Sequence, residues 1–511
     1  MISGPPLGPI VPLAALLGPA LAIDGNAVAL VSASARWTYR ELDDAAARLA
    51  AAYLARGLAA GDRVASLLPN SPELLIHYLA CLRGGLVATP LNYRYAVPEI
   101  DHALDTAAAS LLVAAAERRD DVARSSARRL ALGVLWHGAD DGLPALWSAA
   151  APRALPAPPP QREAFVFFTS GSTGLPKGVT HSHASFAALV ASAAAAAGLV
   201  AGEVVLPASS ASHVAAISFS LAALSVGGRV VVARRGDAAE VLPLLRAERP
   251  AVLITLPTAL LSLIRDHGAT AADFASVRWS ICGGDKVSGE LAREYMALAG
   301  RMIDEGYGMT ETGTAMCTPA TGPVCEGSVG SLAPGFTAEL RDAEGREVRR
   351  GDDGRLWLRA PSVMIGYWNA PAATAEVLRD GWIDTGDLMR ADAEGYFWFR
   401  GRLKQLIIHD GSNIAPQEVE EALLAHPAVA AAGVVGILNP LHGETVRAYV
   451  AARDPAARPT AQALMEFVRT RIAAYKAPEE IVFLAELPLN ATGKVDRARL
   501  KRMAETAAGV A

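Results

Sequence analysis

The residues with the clearest chemical potential lie in the glycine-rich segment Thr169–Val179, which reads TSGSTGLPKGV. It continues from an apolar run, Ala164–Thr169, that predicts a buried strand. Glycines let backbone N–H groups approach a phosphate closely, hydroxyl side chains donate further hydrogen bonds, and Lys177 supplies a positive charge. The segment is therefore predicted to bind the phosphates of a nucleotide.

The spacing within this segment excludes a phosphate-binding loop of the P-loop type. That loop requires G-x-x-x-x-G-K-[ST], whereas here Lys177 follows Gly174 by three positions. A run rich in glycine and serine by itself favours a flexible polar loop without a ligand. The feature that favours a nucleotide site is the complete string, with Thr169 and Lys177 both in register.

Length and composition predict a folded enzyme of more than one domain. A single core rarely grows past about 250–300 residues, and this chain has 511. Hydrophobic residues make up 52% and charged residues 19%, which excludes disorder as the main state. The net charge is -5 without a long basic run, so neither nucleic acid nor an anionic membrane is expected as a partner.

Cysteine usage and the N-terminal residues favour a cytoplasmic location. Cys81, Cys282, Cys317 and Cys325 are too few for a disulfide framework and match no CxxC metal site, so they are predicted to be reduced core thiols. The first 25 residues are apolar but contain several prolines and no basic residue, which argues against a signal peptide. No later run is long enough to predict a membrane span.

Helical and strand patterns alternate along most of the chain, which predicts α/β architecture with helices covering buried strands. The predicted helices are Leu42–Leu58, Glu73–Arg83 and Pro257–Asp266, and the predicted strands are Asp62–Pro69, Gly228–Ala233 and Ala251–Thr255. The proline-rich stretch Ala151–Gln161 is predicted to be a connector, because proline fits neither a central helix nor a central strand.

Two further regions have different patterns. Gly335–Leu358 reads as short strands with turns at Asp342–Gly345 and Asp352–Gly354, a small β-rich unit. After Gly401 comes a segment of about 110 residues, a usual domain size. Its predicted helices are Pro416–Ala425 and Thr460–Tyr475, and its predicted strands are Ala430–Ile437 and Arg447–Ala452.

The glycine-rich string resembles the phosphate-binding signature of the adenylate-forming superfamily, which includes acyl-CoA synthetases, luciferase-like enzymes and the adenylation domains of peptide synthetases. Five further segments resemble motifs of that family and follow in its order. They are Tyr307–Glu311 (YGMTE), Gly354–Trp368 (GRLWLRAPSVMIGYW), Trp382–Asp387 (WIDTGD), Gly401–Pro416 (GRLKQLIIHDGSNIAP) and Pro488–Arg497 (PLNATGKVDR). The resemblance runs from about residue 30 to the end of the chain.

The resemblance implies an α/β fold with a large N-terminal domain of two α/β subdomains and a small β-barrel-like subdomain, followed by a small mobile α+β C-terminal lid domain. The implied boundaries are residues 1–401 for the domain that binds ATP and the acid, 402–404 for a hinge, and 405–511 for the lid. ATP, Mg²⁺ and CoA are the implied cofactor and co-substrates.

The resemblance also implies roles for residues around the phosphates. Glu311 would ligate Mg²⁺ and Thr310 would bind the α-phosphate, in keeping with the preference of a hard cation for oxygen ligands. The alternative reading of Glu311 is a carboxylate at a helix N-terminus, where the helix dipole favours it. The remaining residues implied to bind ATP or AMP are Thr169, Ser170, Gly171, Ser172, Thr173, Gly174, Lys177, Gly283, Gly284, Asp285, Tyr307, Gly308, Met309, Asp387, Arg402 and Asn413.

Two of these assignments have a simpler structural reading beside them. Asp387, predicted in a turn after a strand, would accept both ribose hydroxyls, but an Asx-turn residue is an ordinary alternative. Arg402 would add a ribose or phosphate contact. The loop with Gly283, Gly284 and Asp285 would pack on adenine, and a helix N-cap at Ser288 is compatible with that role.

Lys494 is implied to bridge the acid's carboxylate and the α-phosphate during adenylation, although a lysine after glycine in a turn is ordinarily a solvated charge. The family rotates its C-terminal domain between the two steps, here about Lys404, which would bring in the loop Ile408–Asn413. Gln405 departs from the acidic residue usual beside the hinge. Asp410 stands before Gly411 where many CoA ligases have Lys or Gly. These two residues and His213 are implied to line the CoA tunnel.

The segment Leu206–Phe219 aligns with the family's LPxFHxxG stretch, which makes His213 the histidine between the acid and thiol tunnels. A single histidine is as often structural, and Ser212 replaces the usual aromatic residue. The acid pocket is predicted to contain His213, Val214, Ala216, Ile217, Gly308 and Gly313. No aspartate is present there to bind an α-ammonium group, so the acid is expected to be apolar, aliphatic or aromatic.

Free CoA is the expected acyl acceptor, because no carrier domain follows Lys494. A separate carrier protein is the alternative, and an oxidative second step of the luciferase type is a remote one. A non-catalytic binding or regulatory homologue is the alternative of another class. The chain is expected to be a monomer or homodimer.

Overall fold

The structure is a computed structural model that describes residues 1–138, 142–169, 176–283, 287–318, 322–409, 412–439, 443–490 and 493–507, without the side chains of residues 404, 412, 413, 443 and 507. The chain divides into two compact units. The first contains Met1–Val287, Arg293–Ala338 and Trp357–Asp384. The second contains Ser288–Ala292, Glu339–Leu356 and Thr385–Ala511.

The α-helices are numbered in chain order. They are α1 Gly18–Asp24, α2 Tyr39–Ala55, α3 Pro72–Gly84, α4 Val97–Ala107, α5 Arg119–Arg124, α6 Leu143–Ala149, α7 His183–Ala196, α8 Val214–Ser225, α9 Ala238–Glu248, α10 Pro257–Arg265, α11 Ala271–Phe274, α12 Gly289–Ala299, α13 Pro371–Val377, α14 Pro416–Leu424, α15 Ala461–Arg469 and α16 Arg497–Ala507. In the described part of the chain, none of these helices has the length and apolar character that crossing a bilayer requires.

The strands are numbered in the same way. They are β1 Ile2–Ser3, β2 Val28–Val31, β3 Arg36–Thr38, β4 Arg63–Leu67, β5 Val87–Pro90, β6 Leu111–Ala115, β7 Val134–His137, β8 Glu163–Phe168, β9 Gly178–Ser182, β10 Val204–Pro207, β11 Arg229–Val231, β12 Val252–Thr255, β13 Trp279–Gly283, β14 Asp304–Met309, β15 Gly313–Cys317, β16 Ser331–Leu332, β17 Thr337–Arg341, β18 Asp353–Arg359, β19 Gly366–Tyr367, β20 Leu378–Arg379, β21 Trp382–Ala391, β22 Phe397–Arg402, β23 Ile407–His409, β24 Ser412–Ile414, β25 Val429–Asn439, β26 Gly443–Ala452 and β27 Glu480–Phe483.

The first unit contains two mixed sheets whose inner strands are parallel. Among the described residues, one has the order β16-β15-β14-β13-β12-β10-β11-β2-β3 and the other the order β19-β9-β8-β5-β4-β6-β7. Their parallel strands, such as β4, β5 and β13, are almost wholly buried, as expected for strands covered on both faces. These sheets and their helices are the two α/β subdomains that the sequence predicted.

Local sequence signals explain where the covering helices begin and end. Thr38 and Glu41 form a reciprocal capping box at the start of α2. Ser71 caps α3 by accepting a hydrogen bond from the Leu74 N–H, and the helix ends at Gly85 in the left-handed conformation, with φ +66°. Both helices pack into a single large core with the two sheets.

Aromatic side chains form the part of this core behind strand β8. The rings of Phe165 and Phe186 have centroids 4.4 Å apart, and those of Phe165 and Phe167 are 5.1 Å apart and stacked. All three side chains are fully buried, and each aromatic side chain contributes a large apolar area to the core. The strand that leads into the glycine-rich segment is therefore rigidly supported.

A six-stranded sheet contains β1, β17, β18, β21, β20 and β22, and its residues are divided between the two units. It corresponds to the small β-rich subdomain. In the second unit, β24, β23, β26, β25 and β27 form a five-stranded sheet that is packed with α14 and α15 around a separate apolar core. This unit has the α+β character that the sequence predicted.

Most predicted elements are present with boundaries moved by a few residues, but three predictions are wrong in detail. The helix predicted at Thr460–Tyr475 ends at Arg469. The turn predicted at Asp352–Gly354 lies earlier, because strand β18 already begins at Asp353. Of the four cysteines predicted to lie in the core, Cys325 is only half-buried.

Candidate active site

The glycine-rich segment closes a hairpin between β8 and β9. These strands are antiparallel with Phe168 opposite Gly178, and the Thr169 N–H donates a hydrogen bond to the Lys177 carbonyl at 3.3 Å. A Cβ on Gly178 would lie 2.9 Å from a methyl group of Val166, so this position requires glycine. Residues Ser170, Gly171, Ser172, Thr173 and Gly174, predicted to bind phosphate, lie outside the described residues.

One histidine holds the C-terminal end of this segment. His102 Nε2 lies 2.7 Å from the carbonyl oxygen of Pro176, and a carbonyl only accepts, so Nε2 carries the proton. His102 is on α4, which the sequence analysis did not connect with the site. Lys177, the next residue, is exposed, so its ammonium group is accessible to a phosphate.

Three consecutive carbonyl groups after β14 accept hydrogen bonds from two other parts of the first unit, His181 and the segment 362–364. The Thr310 carbonyl accepts from His181 Nε2 at 2.8 Å, the Glu311 carbonyl accepts from the Met364 N–H at 2.7 Å, and the Thr312 carbonyl accepts from the Ser362 hydroxyl at 3.2 Å. These hydrogen bonds hold the backbone from which the Thr310 and Glu311 side chains extend.

His181 is neutral in this environment. Its side chain is fully buried, and burial lowers its pKa to about 4, although the hydrogen bond to Thr310 acts in the opposite direction. Because Nε2 donates to a carbonyl, the neutral ring leaves Nδ1 as the acceptor, and the Ser185 hydroxyl lies 3.4 Å from it. Tertiary structure therefore selects one tautomer of His181.

Tyr367 contacts both charged residues of the predicted phosphate site. Its hydroxyl donates a hydrogen bond to Glu311 Oε1 at 2.8 Å, and the ammonium nitrogen of Lys177 lies 5.0 Å from the centre of its ring. Glu311 is only 7% exposed. The structure thus brings together Lys177, Thr310 and Glu311, which the sequence assigned to the same site.

The glycines of the YGMTE region are required by close packing. Strand β14 contains Tyr307, Gly308 and Met309 and pairs with β15. A Cβ on Gly308 would lie 2.3 Å from the Gly313 carbonyl oxygen. Gly313 itself has φ +75°, and its Cβ would meet the side chain of Leu189 at 2.6 Å. Neither glycine can be replaced without moving the hairpin that leads to Thr310.

The predicted adenine loop starts at the end of β13. Gly283 pairs with Gly306 on the neighbouring strand β14, while Gly284 and Asp285 lie outside the described residues. The Ser288 hydroxyl accepts a hydrogen bond from the Leu291 N–H at 3.2 Å, which confirms that Ser288 caps helix α12.

Asp304, the first residue of β14, is a buried acid. It is 6% exposed, and burial raises its pKa to about 7, against the lowering effect of a hydrogen bond from Thr318. Within the described part of the chain, its Oδ1 has no hydrogen-bond partner. A carboxyl group in such surroundings favours its neutral form.

His213 lies at the N-cap of α8, and an asparagine orients its ring. The Asn92 Oδ1 accepts a hydrogen bond from the Arg94 N–H at 2.9 Å, which identifies the other amide atom as Nδ2. That nitrogen lies 3.3 Å from His213 Nε2. Because an amide N–H only donates, Nε2 accepts and the ring proton is on Nδ1.

The predicted acid-pocket residues after His213 differ in their surroundings. Ile217 is fully buried in the large core, and Ala216 borders a cavity of about 10 Å³ together with Asn70 and Ala211. That volume is close to one water molecule. Val214 is buried as well.

Asp387 was predicted to lie in a turn, and this prediction is wrong. It lies within the ten-residue strand β21, opposite Arg402 on β22. Its carboxylate is fully buried and accepts from Arg402 Nε at 2.7 Å and from Nη2 at 3.2 Å. The sequence TGD suggested a turn, but Gly386 takes its positive φ of +72° inside a continuous strand.

Lys494 is exposed and lies on a tight hairpin of the second unit. The Asn490 N–H donates to the Lys494 carbonyl at 2.8 Å, and the Lys494 N–H donates to Asn490 Oδ1 at 3.1 Å. Helix α16 begins directly afterwards with Arg497, whose guanidinium forms an ion pair with the buried carboxylate of Glu420 on α14, with Nε 3.1 Å from Oε1.

The remaining predicted residues lie in the same unit. The backbone of Lys404 is in a short 3₁₀ turn, Leu403–Gln405, and that of Asn413 is in β24. Asp410 and Gly411, assigned to the CoA tunnel, lie outside the described residues.

The sequence analysis missed His102, His181 and Tyr367. Tyr367 lies inside the block Gly354–Trp368, which resembles a family motif. Its place in that block was a signal that could have suggested a role in the site. His181 follows the glycine-rich string by two residues, but nothing local shows that its partner is Thr310. His102 is 74 residues from Pro176 in sequence, and no pattern predicts that contact.

Comparisons with known proteins assign the chain to a family. Residues 20–368 match the family model described as AMP-binding enzyme, and residues 418–494 match the AMP-binding enzyme C-terminal domain. A feruloyl-CoA synthase from Amycolatopsis sp is 36% identical over 471 residues, covering 91% of this chain and 93% of the relative. The fatty acid–[acyl-carrier-protein] ligase ScoC from Streptomyces coeruleorubidus is 34% identical over 481 residues, covering 91% of each chain.

Among solved structures, ATP-bound MatB from Rhodopseudomonas palustris has a TM-score of 0.89 to this chain at 31% identity, covering 96% of this chain and 98% of MatB. Members of the matched family use ATP, Mg²⁺ and CoA. The chain therefore belongs to the AMP-binding enzyme family of the adenylate-forming superfamily, and it is an AMP-forming acid–thiol ligase.

Proposed function

We propose that this enzyme activates an apolar carboxylic acid, aliphatic or aromatic, and transfers the acyl group to CoA. In the first step a carboxylate oxygen forms a bond to the α-phosphorus of ATP while the bond to the β-phosphate breaks. The products are acyl-AMP and pyrophosphate. In the second step the sulfur of a deprotonated thiol attacks the acyl carbon, the acyl–phosphate bond breaks, and AMP leaves.

The observation that carries the first step is the fixed group formed by Lys177, Thr310 and Glu311. Lys177 presents a charge to phosphate oxygens, and three hydrogen bonds hold the backbone from Thr310 to Thr312 in place. Preorganised groups of this kind stabilise charge as it develops in a transition state.

The side chains present fit a magnesium ion. Glu311 offers a carboxylate, the ligand type that Mg²⁺ prefers, and in the described part of the chain no set of three or more His, Cys, Asp or Glu side chains forms a metal site. Mg²⁺ is usually held by one or two carboxylates together with substrate phosphates. A bound Mg²⁺ would act as a Lewis acid toward those phosphates.

The sequence around His213 supports an apolar acid. Residues 206–226 contain no Asp, Glu, Lys or Arg, so a charged group beyond the carboxylate would find no partner in this segment. The two relatives described above agree with this class, since one is named for an aromatic acid and the other for a fatty acid. In this proposal His213, with its proton on Nδ1, contacts the acid.

The second unit contributes the remaining roles in this proposal. Lys494 stabilises the carboxylate and α-phosphate during adenylation, and residues 402–404 act as the hinge between a domain of residues 1–401 and a lid of residues 405–511. Asp387 binds the ribose hydroxyls. Because its carboxylate is fully buried, that contact requires the side chains covering it, Arg402 among them, to move.

The identity of the acid and of the thiol is tested by two measurements on the purified enzyme. Trapping of activated acyl groups with hydroxylamine across a panel of carboxylates should give turnover with apolar acids and little with amino acids. AMP release with the best acid should then depend on CoA. AMP release that ignores CoA would contradict CoA as the acceptor.

A separate carrier protein is the second candidate acceptor, and the 34% identity to the carrier-protein ligase ScoC favours it. The same AMP-release measurement with a phosphopantetheinylated carrier protein in place of CoA separates the two. Failure with every acid would contradict the proposed activity as a whole.

A further inference from the structure

Tyr367 contacts both charged residues of the phosphate site. Its hydroxyl donates to Glu311 at 2.8 Å, and Lys177 lies over its ring at 5.0 Å. A residue that contacts a buried acid with one atom and an exposed cation with its ring can set the positions of both.

The backbone around Tyr367 is held from several sides. Its N–H donates to the Thr374 hydroxyl at 2.9 Å, and strand β19 pairs it with Val179, two residues after Lys177. The next N–H, that of Trp368, donates to the Gly178 carbonyl at 2.7 Å. The ring of Tyr367 is therefore a fixed reference for the end of the glycine-rich segment.

The chemistry of a phenol suits both contacts. A phenol hydroxyl donates a hydrogen bond to Glu311 without cancelling the negative charge, so the carboxylate keeps its ability to attract a cation. The ring face attracts the Lys177 ammonium group in the same way without neutralising it. A lysine side chain has four rotatable carbon–carbon bonds, so this contact limits the positions that the charge visits.

We propose that Tyr367 is a positioning residue that holds Glu311 for a divalent cation and Lys177 for the phosphates that this cation accompanies. The inference rests on the proposed function, since it requires that ATP binds at this site. In this inference the tyrosine hydroxyl contributes to the part of ATP binding that depends on the cation. The tyrosine ring contributes to the binding of the phosphates through Lys177.

The test separates these two contributions by measuring ATP binding calorimetrically, with Mg²⁺ and with a chelator. Tyr367→Phe removes the hydroxyl and keeps the ring, so the Kd for ATP with Mg²⁺ should rise roughly tenfold, while the Kd with chelator should stay within about twofold. Tyr367→Leu removes both contacts and should weaken binding under both conditions.

Double variants test whether each effect passes through the assigned partner. In a Glu311→Gln background, Tyr367→Phe should have little further effect on binding. In a Lys177→Met background, Tyr367→Leu should weaken ATP binding no more than Tyr367→Phe does. Independent, additive effects would show that Tyr367 does not act through Glu311 and Lys177, and would overturn the inference.

Tyr475→Phe is a matched control, because Tyr475 also has a lysine over its ring, Lys476 at 5.8 Å, but is exposed in the second unit. It should leave ATP binding unchanged. If Tyr367→Phe binds ATP as the unaltered enzyme does under both conditions, the inference is wrong and the proposed function stands. If the unaltered enzyme binds no ATP, both are wrong.

Steady-state rates give a second readout that loss of packing alone would not reproduce. With Tyr367→Phe, the Mg²⁺ concentration that gives half-maximal adenylation should rise, while the KM for the carboxylic acid stays within about twofold. An equal change in both parameters would indicate general disruption of the site and would contradict a positioning role.

Discussion

At the scale of single residues, the candidate site depends on buried polar groups whose charge is set by their surroundings. Burial lowers the pKa of His181 to about 4 and raises that of Asp304 to about 7. Both residues act on the same part of the chain. Asp304 is the first residue of β14, and Thr310, directly after β14, accepts a hydrogen bond from His181 through its carbonyl. Their titration therefore links pH to the stability of the fold around β14.

The unaltered protein should lose stability as the pH rises, and Asp304→Asn should abolish that loss. The acid has a higher pKa in the folded chain than in the unfolded chain, so the folded state binds more protons between about pH 4 and 7, and stability falls as pH rises through that range. One pKa unit corresponds to about 1.4 kcal/mol, so the gain in the variant at pH 8 is several kcal/mol at most.

Denaturant unfolding at pH 5 and pH 8 measures this effect. The difference between the two pH values should shrink in Asp304→Asn and remain in Asp352→Asn, which changes an exposed aspartate. An unchanged pH dependence in Asp304→Asn would show that Asp304 ionises normally in the folded protein.

His181→Ala should impair adenylation more than it impairs the binding of the acid. Loss of the imidazole leaves the Thr310 carbonyl without this donor, which costs about 1–3 kcal/mol, and it removes one of the hydrogen bonds that hold the backbone of Thr310 in place. Pyrophosphate exchange should fall about tenfold or more, with the KM for the acid nearly constant.

His267→Ala is the control for this variant, because His267 is exposed and hydrogen-bonds only within its own turn among the described residues. If His181→Ala exchanges pyrophosphate at the same rate as this control, His181 has no role in the site.

At the scale of elements, the hairpin that contains Lys494 is held in the second unit by helix α16. The first residue of that helix, Arg497, forms an ion pair with Glu420, whose side chain is 10% exposed. Glu420 also accepts from the Val434 N–H at 2.8 Å. One carboxylate therefore joins the start of α16 to both α14 and β25.

Arg497→Met should destabilise the second unit. Removing one partner of a buried ion pair leaves an uncompensated charge and costs up to about 3–5 kcal/mol. The double variant Arg497→Met with Glu420→Leu removes both charges and should recover much of that loss. Thermal unfolding of all three proteins checks the prediction, and a single variant as stable as the parent would refute it.

At the scale of the whole molecule, the two units contain different parts of the proposed chemistry. The first contains Lys177, Thr310, Glu311 and His213, and the second contains Asp387, Arg402 and Lys494. If the second unit changes its position between steps, as the family resemblance implies, a residue that it contributes to one step should be dispensable in the other.

Lys494→Ala should separate the two half-reactions. Formation of acyl-AMP should fall by two or more orders of magnitude, because the variant lacks the charge that stabilises the developing phosphate charge. Thioester formation from supplied acyl-AMP and CoA should continue at a rate near that of the parent. Rapid-quench measurement of each half-reaction tests this, and loss of both would contradict a role limited to adenylation.

The sequence by itself determined the family and the order of elements, and it proposed most residues of the candidate site. Motifs such as Thr169–Val179 and Tyr307–Glu311 can be recognised from a short stretch of sequence. A backbone that must closely approach a phosphate or a neighbouring strand requires glycine, so glycines occur at a fixed spacing within each motif. Helix starts are local as well, since a capping residue such as Ser71 satisfies N–H groups within its own first turn.

Only the tertiary structure decided how these residues are held. The contacts of His102 with Pro176, of His181 with Thr310 and of Tyr367 with Glu311 join residues 56 to 129 positions apart. Asp387 was misplaced for the same reason, because the pairing of β21 with β22 makes a strand where TGD alone indicates a turn. Long-range hydrogen bonds and burial fix tautomers and side-chain directions, and no local pattern contains that information.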